Sequence, residues 1–394
     1  MSKNNNVTVK EMNRITGLHN VIQANLTDSD MFHGNHIYSL VSRKNESLTD
    51  IYCSNNTPNI DMLNTKPLIT LQNAGHTQSL NTMMSYYWSL SRYLLVGYNY
   101  QTPNYQNHGG IKWSNSIICL PINTGDDTST TIVSDFSKYK RIIGLDKVLE
   151  KVMKYHYNHT HNVVNPFANY GGQTVDPDAN HVTDKIKSPF ILRSECGISS
   201  DGNTFYVAIN DIYHDLYVVT YPEPDIRNAV NNSNIVDLSY FDFDPEKDAN
   251  RWAYISYDQL KLITHSSSFS FQGFGMDNTG NLYISSEFGP KYKDKYSDIP
   301  DNQKRFIVKI ADLSENSRNW TVIDLTSNPT ISASHLITEF EGIQVTDVNK
   351  ILLTVAYHYN EEIVDSNPRY PRSSVIYEIT WWLRWKWRNP LLNS

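Results

Sequence analysis

Two glutamates and two glutamines recur at one place in a repeating pattern. Glu195, Glu341, Gln78 and Gln272 each stand at or just before the start of a short alternating strand, and His19 holds the matching place in a fifth segment. His76, in Ala74-Gly75-His76-Thr77-Gln78, directly precedes one of them. Carboxylates and amides that converge on one point are how sugar-binding funnels are built, because they match hydroxyl groups as donors and acceptors. Glu195 and Glu341 would also make a glycosidase acid/base pair if they faced each other at about 5–10 Å. Glutamine at two of the equivalent positions favours binding over hydrolysis, so the two glutamates stand as candidates and no catalytic residue is assigned. The alternative is that all these groups serve only backbone groups and ordered water.

Other residue patterns carry less chemistry. His156, His159 and His161 form an H-x-x-H-x-H cluster after a helical stretch, without the i,i+4 spacing or the carboxylate of a helical metal site. They read as surface histidines in a polar loop. Cys53, Cys119 and Cys196 are widely spaced and odd in number, which fits three buried or unreactive thiols better than a disulfide framework or a zinc site. The acidic run from Asp237 to Asp248 lacks the order of a calcium loop and reads as a solvated segment. No nucleotide, serine-hydrolase or zinc-protease motif occurs, and no metal or other cofactor is expected.

The end of the chain differs in character. Four of the eight Trp fall at Trp381, Trp382, Trp385 and Trp387. From Val375, the residues Tyr377, Ile379, Trp381, Leu383, Trp385 and Trp387 alternate with Glu378, Thr380, Trp382, Arg384, Lys386 and Arg388. Period 2 makes this a strand that runs on, one face aromatic and the other cationic. Trp favours the membrane–water interface and Arg or Lys favours anionic headgroups, so Trp382, Arg384, Trp385, Lys386, Trp387 and Arg388 form a candidate peripheral membrane contact. The competing reading is a closing strand with its aromatics packed inward and its cations snorkelling outward.

The elements that must hold these residues are mostly strands. The segments 197–211, 273–288 and 342–358 share one layout: a short alternating strand, a polar turn with Asp, Asn or Gly, then a longer strand rich in β-branched and aromatic residues. A third strand follows each pair, at 215–221, 305–310 and 374–380. A fourth copy runs from Gln78 through 93–98 to 117–121, and a fifth begins near His19 and continues through 36–42. One helix is expected over 135–157, with Gly144 a weak point inside it. A series of β-meanders separated by long loops points to an all-β chain forming a β-propeller of about five blades, with a β-sandwich pair as the competing architecture. The expected organisation is one propeller domain over 1–381, with a helical, His-rich insert at about 123–190, and a Trp/Arg tail at 382–394.

Composition narrows the function classes. The chain has 394 residues and a formal charge of −7, with 26 Tyr and only 19% charged residues. Polarity therefore comes from amides and phenols, which argues against a basic nucleic-acid binder and against a charge-rich disordered chain. No apolar run of membrane-spanning length occurs. The first residues show no signal-peptide core, so an exported protein would leave by another route.

With these segments in view, the sequence resembles the helveticin J family of large, heat-labile bacteriocins of lactic acid bacteria. The stretches that carry the resemblance are AGHTQ (74–78), SECGISSDGNTFYVAI (194–209), FQGFGMDNTGNLYISSEF (271–288), FEGIQVTDVNKILLTVAYH (340–358) and SSVIYEITW (373–381). QGxxxDxxGNLYISS and LTVAYH are the most specific of these. The resemblance is traceable from about Val7 to Trp381, and it departs at the expanded region 123–190 and at the WLRWKWRNPLLNS end. It implies a secreted antibacterial protein that kills related bacteria by damaging their envelope. The polar funnel residues and abundant Tyr suit an envelope glycan or lipid-linked polymer as its partner. The family supplies no catalytic residues to transfer. A carbohydrate-active enzyme, or a lectin-like glycan-binding propeller acting on wall polysaccharide, is the alternative.

Overall fold

Strands such as Phe205-Tyr206-Val207-Ala208-Ile209 are apolar on both faces, and a strand of that kind needs a packed layer on each side. The computed structural model describes residues 6–18, 21–27, 36–43, 48–74, 79–83, 92–99, 114–122, 129–159, 191–211, 214–266, 269–287, 304–332, 336–359 and 373–382. It meets that need with five sheets arranged radially as a five-bladed β-propeller.

Blade one runs outward from β2 (Val21–Thr27) through β3 (His36–Arg43), β4 (Leu48–Asn55) and β6 (Ile69–Gln72) to β10 (Thr131–Val133). Blade two is β7 (Leu80–Met83), β8 (Arg92–Tyr98), β9 (Ser116–Ile122), β11 (Lys140–Ile143) and β15 (Ile235–Asp237). Blade three is β12 (Ile191–Ile198), β13 (Thr204–Asp211), β14 (Leu216–Pro222) and β16 (Trp252–Ile255). Blade four is β17 (Phe274–Met276), β18 (Leu282–Ser286), β19 (Phe306–Ile310) and β20 (Trp320–Asp324). Blade five is β21 (Leu336–Asp347), β22 (Lys350–Tyr359) and β23 (Ser373–Trp382), followed by β1 (Asn6–Thr16) and β5 (Asn59–Asp61). The inner strands β2, β7, β12, β17 and β21 touch their neighbours all the way round.

Between each pair of blades lies one apolar core. Tyr206, Ala208 and Val218 meet Phe274, Met276 and Ile284 between blades three and four. Leu40 and Ile51 meet Leu94, Val96 and Ile118 between blades one and two. The ring closes through β1, which pairs antiparallel with β23 from Asn6 opposite Trp382 to Thr16 opposite Ser373. The chain's first strand is thus built into its last blade, and this hydrogen-bonded seam resists opening of the ring. Trp381 is fully buried and lies 5.8 Å from the ring of Tyr283 in blade four, whereas Trp382 is 71% exposed.

The hairpin turns follow the sequence. Gly202 and Gly280 take left-handed φ of +76° and +82°, and Asn349 takes +59°, as tight turns require. One expectation needs correction. The helix starts at Leu145 and ends at His159, and the residues before it form a 3₁₀ turn and β11. Gly144 stands at the helix entrance with φ +82°, where a side chain would collide with the Asp237 carboxylate. Within the insert expected at about 123–190, the described residues 129–159 hold β10 and β11, outer strands of blades one and two, and the helix, which packs Val148, Leu149 and Val152 between blades two and three. Two further helices, Glu223–Asn232 and Tyr257–Thr264, were not anticipated.

Candidate functional site

Register fixes where the site residues gather. In each blade the second strand ends beside the start of the inner one: Val41 pairs with Val21, Val96 with Leu80, Asp211 with Ile191, Ile284 with Phe274 and Tyr359 with Leu336. Each inner strand therefore runs antiparallel to the second strand of its blade, with its start level with that strand's end.

Glu195 is the joint of three blades. Residues 193 and 195 share a face of β12 by its period of two. The Glu195 carboxylate pairs at 2.7 Å with Nε of Arg193 through one oxygen and accepts the Ser79 hydroxyl through the other. Ser79 lies just before β7, and its Oγ also accepts the Cys196 amide at 2.9 Å. The Arg193 guanidinium continues to blade four, donating to the Phe271 carbonyl and, at 2.8 Å, to that of Gln272. It also lies 5.7 Å from the centre of the Phe274 ring. Arg193 and Glu195 are both almost fully buried.

Gln272 carries the network onward. Its Nε2 donates to the Glu287 carbonyl at 2.8 Å and to Ser270 Oγ at 3.1 Å. The Glu287 carboxyl lies 2.7 Å from Arg305 Nε and accepts the Thr338 hydroxyl of β21 at 3.0 Å. Burial pushes its pKa up to about 8, against the opposing pull of Arg305. Glu341 is buried at a bulge in β21, where its carbonyl accepts Ser285 Oγ at 2.9 Å. A Cβ on the next residue, Gly342, would occupy the place of Gln23 Oε1, so any other residue there would displace the Gln23 amide from its present position.

The remaining seams use amides. Gln344 exchanges two hydrogen bonds with the Leu26 backbone at 2.8 and 2.7 Å, Asn25 donates to the Leu80 carbonyl at 2.7 Å, and Asn81 donates to that of Cys196 at 3.0 Å. Chemically, the axis is a buried belt of carboxylates, guanidinium and amides that ties each blade to the next. Both oxygens of Glu195 are committed inside it.

Of the residues singled out from sequence, Glu195 lies on β12, Glu341 on β21 and Gln272 just before β17, with Arg193 linking Glu195 to the Gln272 carbonyl. His19, His76 and Gln78 lie outside the described residues, as do Arg384, Trp385, Lys386, Trp387 and Arg388. Arg193, Ser79, Glu287 and Arg305 were missed. The available signal was the i−2 position of Arg193 on the same strand face as Glu195.

The other candidates resolve as follows. His156 is buried, which corrects its reading as a surface loop residue. Its ring lies 3.9 Å from that of Tyr254, and burial holds its pKa below the usual value. The His159 side chain and His161 lie outside the described residues. Cys119 and Cys196 are buried and Cys53 is partly buried; burial pushes the Cys119 thiol up to about 12. Asp237 caps a 3₁₀ turn by accepting the Ser239 amide at 3.0 Å.

Comparison with known proteins places the chain. A family model described as bacteriocin helveticin-J matches residues 178–382, just over half of the sequence. The chain belongs to the helveticin J family. The matched stretch takes in all of blades three and four and the first three strands of blade five. Bacteriocin helveticin-J of Lactobacillus helveticus is 31% identical over 115 residues, which is 28% of this chain and 32% of that relative. The match thus spans about a third of that helveticin J protein's length. Among solved structures, a Trypanosoma rangeli sialidase in complex with the inhibitor DANA is 10% identical with a TM-score of 0.35, covering 95% of this chain and 59% of the sialidase. A GH62 hydrolase in complex with xylotriose is 9% identical with a TM-score of 0.39, covering 94% and 97%. Both likenesses are too distant to bear on what this helveticin J family member does.

Proposed function

We propose that the protein is a secreted antibacterial protein that recognises the cell envelope of related Gram-positive bacteria and damages it, killing the cell. Family membership across blades three to five carries this reading. The partner is an envelope glycan or lipid-linked polymer, taken up at the polar inner face of the propeller. The second element is the tail. Trp382 is exposed directly after the buried Trp381, and the sequence that follows alternates Arg384, Lys386 and Arg388 with Trp385 and Trp387. This segment suits peripheral contact with anionic headgroups.

The test is a spot-on-lawn assay with purified protein against a panel of Gram-positive strains, read beside dye leakage and reducing-sugar release. Clearing with leakage and without sugar release is the expected result. Binding to cells that leaves growth and permeability untouched would reduce the protein to a lectin-like module. A hydrolase reading on Glu195 and Glu341 needs sugar release from wall polysaccharide that disappears in a folded Glu195→Gln variant. The engagement of both Glu195 oxygens in the axial belt weighs against it.

A further inference from the structure

Blades three and four meet, away from the axis, at a cavity of about 500 Å³. One wall is aromatic: Tyr155 and His156 from the helix Leu145–His159, and Trp252 from β16. These rings are fixed by packing. Trp252 Nε1 donates to the Pro245 carbonyl at 3.0 Å, Tyr155 meets Trp252 edge-on at 5.6 Å, and His156 meets it edge-on at 6.4 Å.

The facing wall is polar and comes from the connection between β19 and β20. Asp312 and Leu313 both take φ of +51°, a left-handed conformation uncommon for residues with a side chain. The Asp312 amide is held at 3.1 Å by Asn281 Oδ1, and Asn319 Nδ2 donates to Ser314 Oγ at 2.9 Å. Glu315 accepts the Tyr254 amide at 3.3 Å and sits 3.9 Å from His156 Nδ1, with 46% of its side chain still exposed. Among the described residues, the charged lining residues are Asp312 and Glu315, with neither Lys nor Arg in the lining.

A volume of this size falls within the roughly 300–1,000 Å³ typical of small-molecule sites. Aromatic rings facing carboxylates and an amide match a sugar ring, which has an apolar C–H face and a hydroxyl edge. Two carboxylates in the lining repel anionic sugars. We infer that this cavity is a saccharide subsite for an uncharged or amine-bearing sugar ring. Tyr155 and Trp252 supply the apolar wall, and Asp312, Glu315 and Asn319 take the hydroxyl or amine edge. The site lies away from the axis, on the helix Leu145–His159, β16 and the β19–β20 connection, uses none of the axial residues, and its test does not involve killing.

Saturation-transfer difference NMR on the full chain checks it, with glucose, galactose, N-acetylglucosamine and glucosamine as probes and glucuronic acid as the anionic control. At least one of the four should bind while glucuronic acid does not. Glu315→Ala and Asn319→Ala, both exposed positions, should each weaken binding by about tenfold with an unchanged melting transition. Asp312→Asn, which keeps a side chain that tolerates positive φ, should weaken it less. Silence from all four sugars, binding that survives the Glu315→Ala/Asn319→Ala double variant, or equal binding of glucuronic acid would overturn the inference.

Discussion

The carboxylate of Glu195 shows what a buried charge does on the propeller axis. Taken alone it is a candidate acid; with Ser79 and Arg193 in place it is a clasp between blades two, three and four. Truncating one partner of a buried ion pair leaves the other desolvated and uncompensated, which costs about 3–5 kcal/mol. Glu195→Ala should therefore destabilise by roughly that amount, whereas the double variant Arg193→Met/Glu195→Met should lose clearly less; urea unfolding of the three proteins measures both. Equal losses for single and double variants would mean that the clasp is not a coupled unit. Asp277 works in the same way within one hairpin. It accepts the Thr279 and Asn281 amides at 2.9 and 3.1 Å, Asn281 Nδ2 at 2.7 Å and the Tyr283 hydroxyl at 2.6 Å. The turn was legible because Asp, Gly and Asn fall where a tight turn needs them. The clasp was only half legible: strand alternation places Glu195, but nothing local names Ser79, 116 positions earlier, as its partner.

Elements were legible in proportion to how deeply they are buried. The second and third strands of each blade carry apolar residues on both faces, so their composition announces them. The outer strands do not. β1 is largely solvated along its first half, and β5, β10 and β15 have three residues each, too few for any period to emerge. That β1 completes the last blade is a long-range fact, invisible to local pattern. The helix Leu145–His159 was placed too early because Ile142 and Ile143, which belong to β11, extend its apolar stripe backwards through Gly144. The closing blade yields a prediction about the tail. β23 keeps Tyr377, Ile379 and Trp381 fully buried, and its pairing with β1 ends at Trp382 opposite Asn6. Trp381→Ala should cost about 3–5 kcal/mol by emptying the space beside Tyr283. Deleting 383–394 should leave the melting transition within about 1 °C, since no pairing of β23 is removed. Lost dye leakage in that truncated but stable protein would assign the tail to the membrane, and a collapsed melting transition would assign it to closure.

At the scale of the whole molecule, the five repeats were readable because each blade must bury both faces against its neighbours, and this imposes one layout on every unit. What joins the blades was not readable, because the ties are side-chain hydrogen bonds, to backbone and to other side chains, across interfaces formed only when the ring closes. Buried carboxyl groups, Glu287 in one of those ties and Glu223 in a helix of blade three, set how stability varies with pH. Burial pushes Glu287 up to about 8 and Glu223 to about 7, from 4.5, with Arg305 and Arg227 offsetting only part of the effect. The folded protein then holds more protons than the unfolded chain between pH 4.5 and 8, so the unfolding free energy falls as pH rises through that window. His156 acts in the opposite sense: burial lowers its pKa below 6.5, so its contribution is present at higher pH and fades as pH falls. One lightly shifted histidine does not outweigh two carboxyls shifted this far. At the acid end, burial would raise Asp277, but its hydrogen bonds more than offset this and hold it below 3.8. Its contribution is therefore lost only as pH falls below that value. Stability should peak in mildly acidic solution, at about pH 4–5, and the melting temperature should fall by about 5 °C or more between pH 5 and 8. Glu287→Gln, which keeps the shape but cannot titrate, should flatten that decline by at least about half. A melting temperature that stays level or rises from pH 5 to 8 would show that Glu287 is ionised in the folded protein and that the Arg305 pair, not burial, governs it.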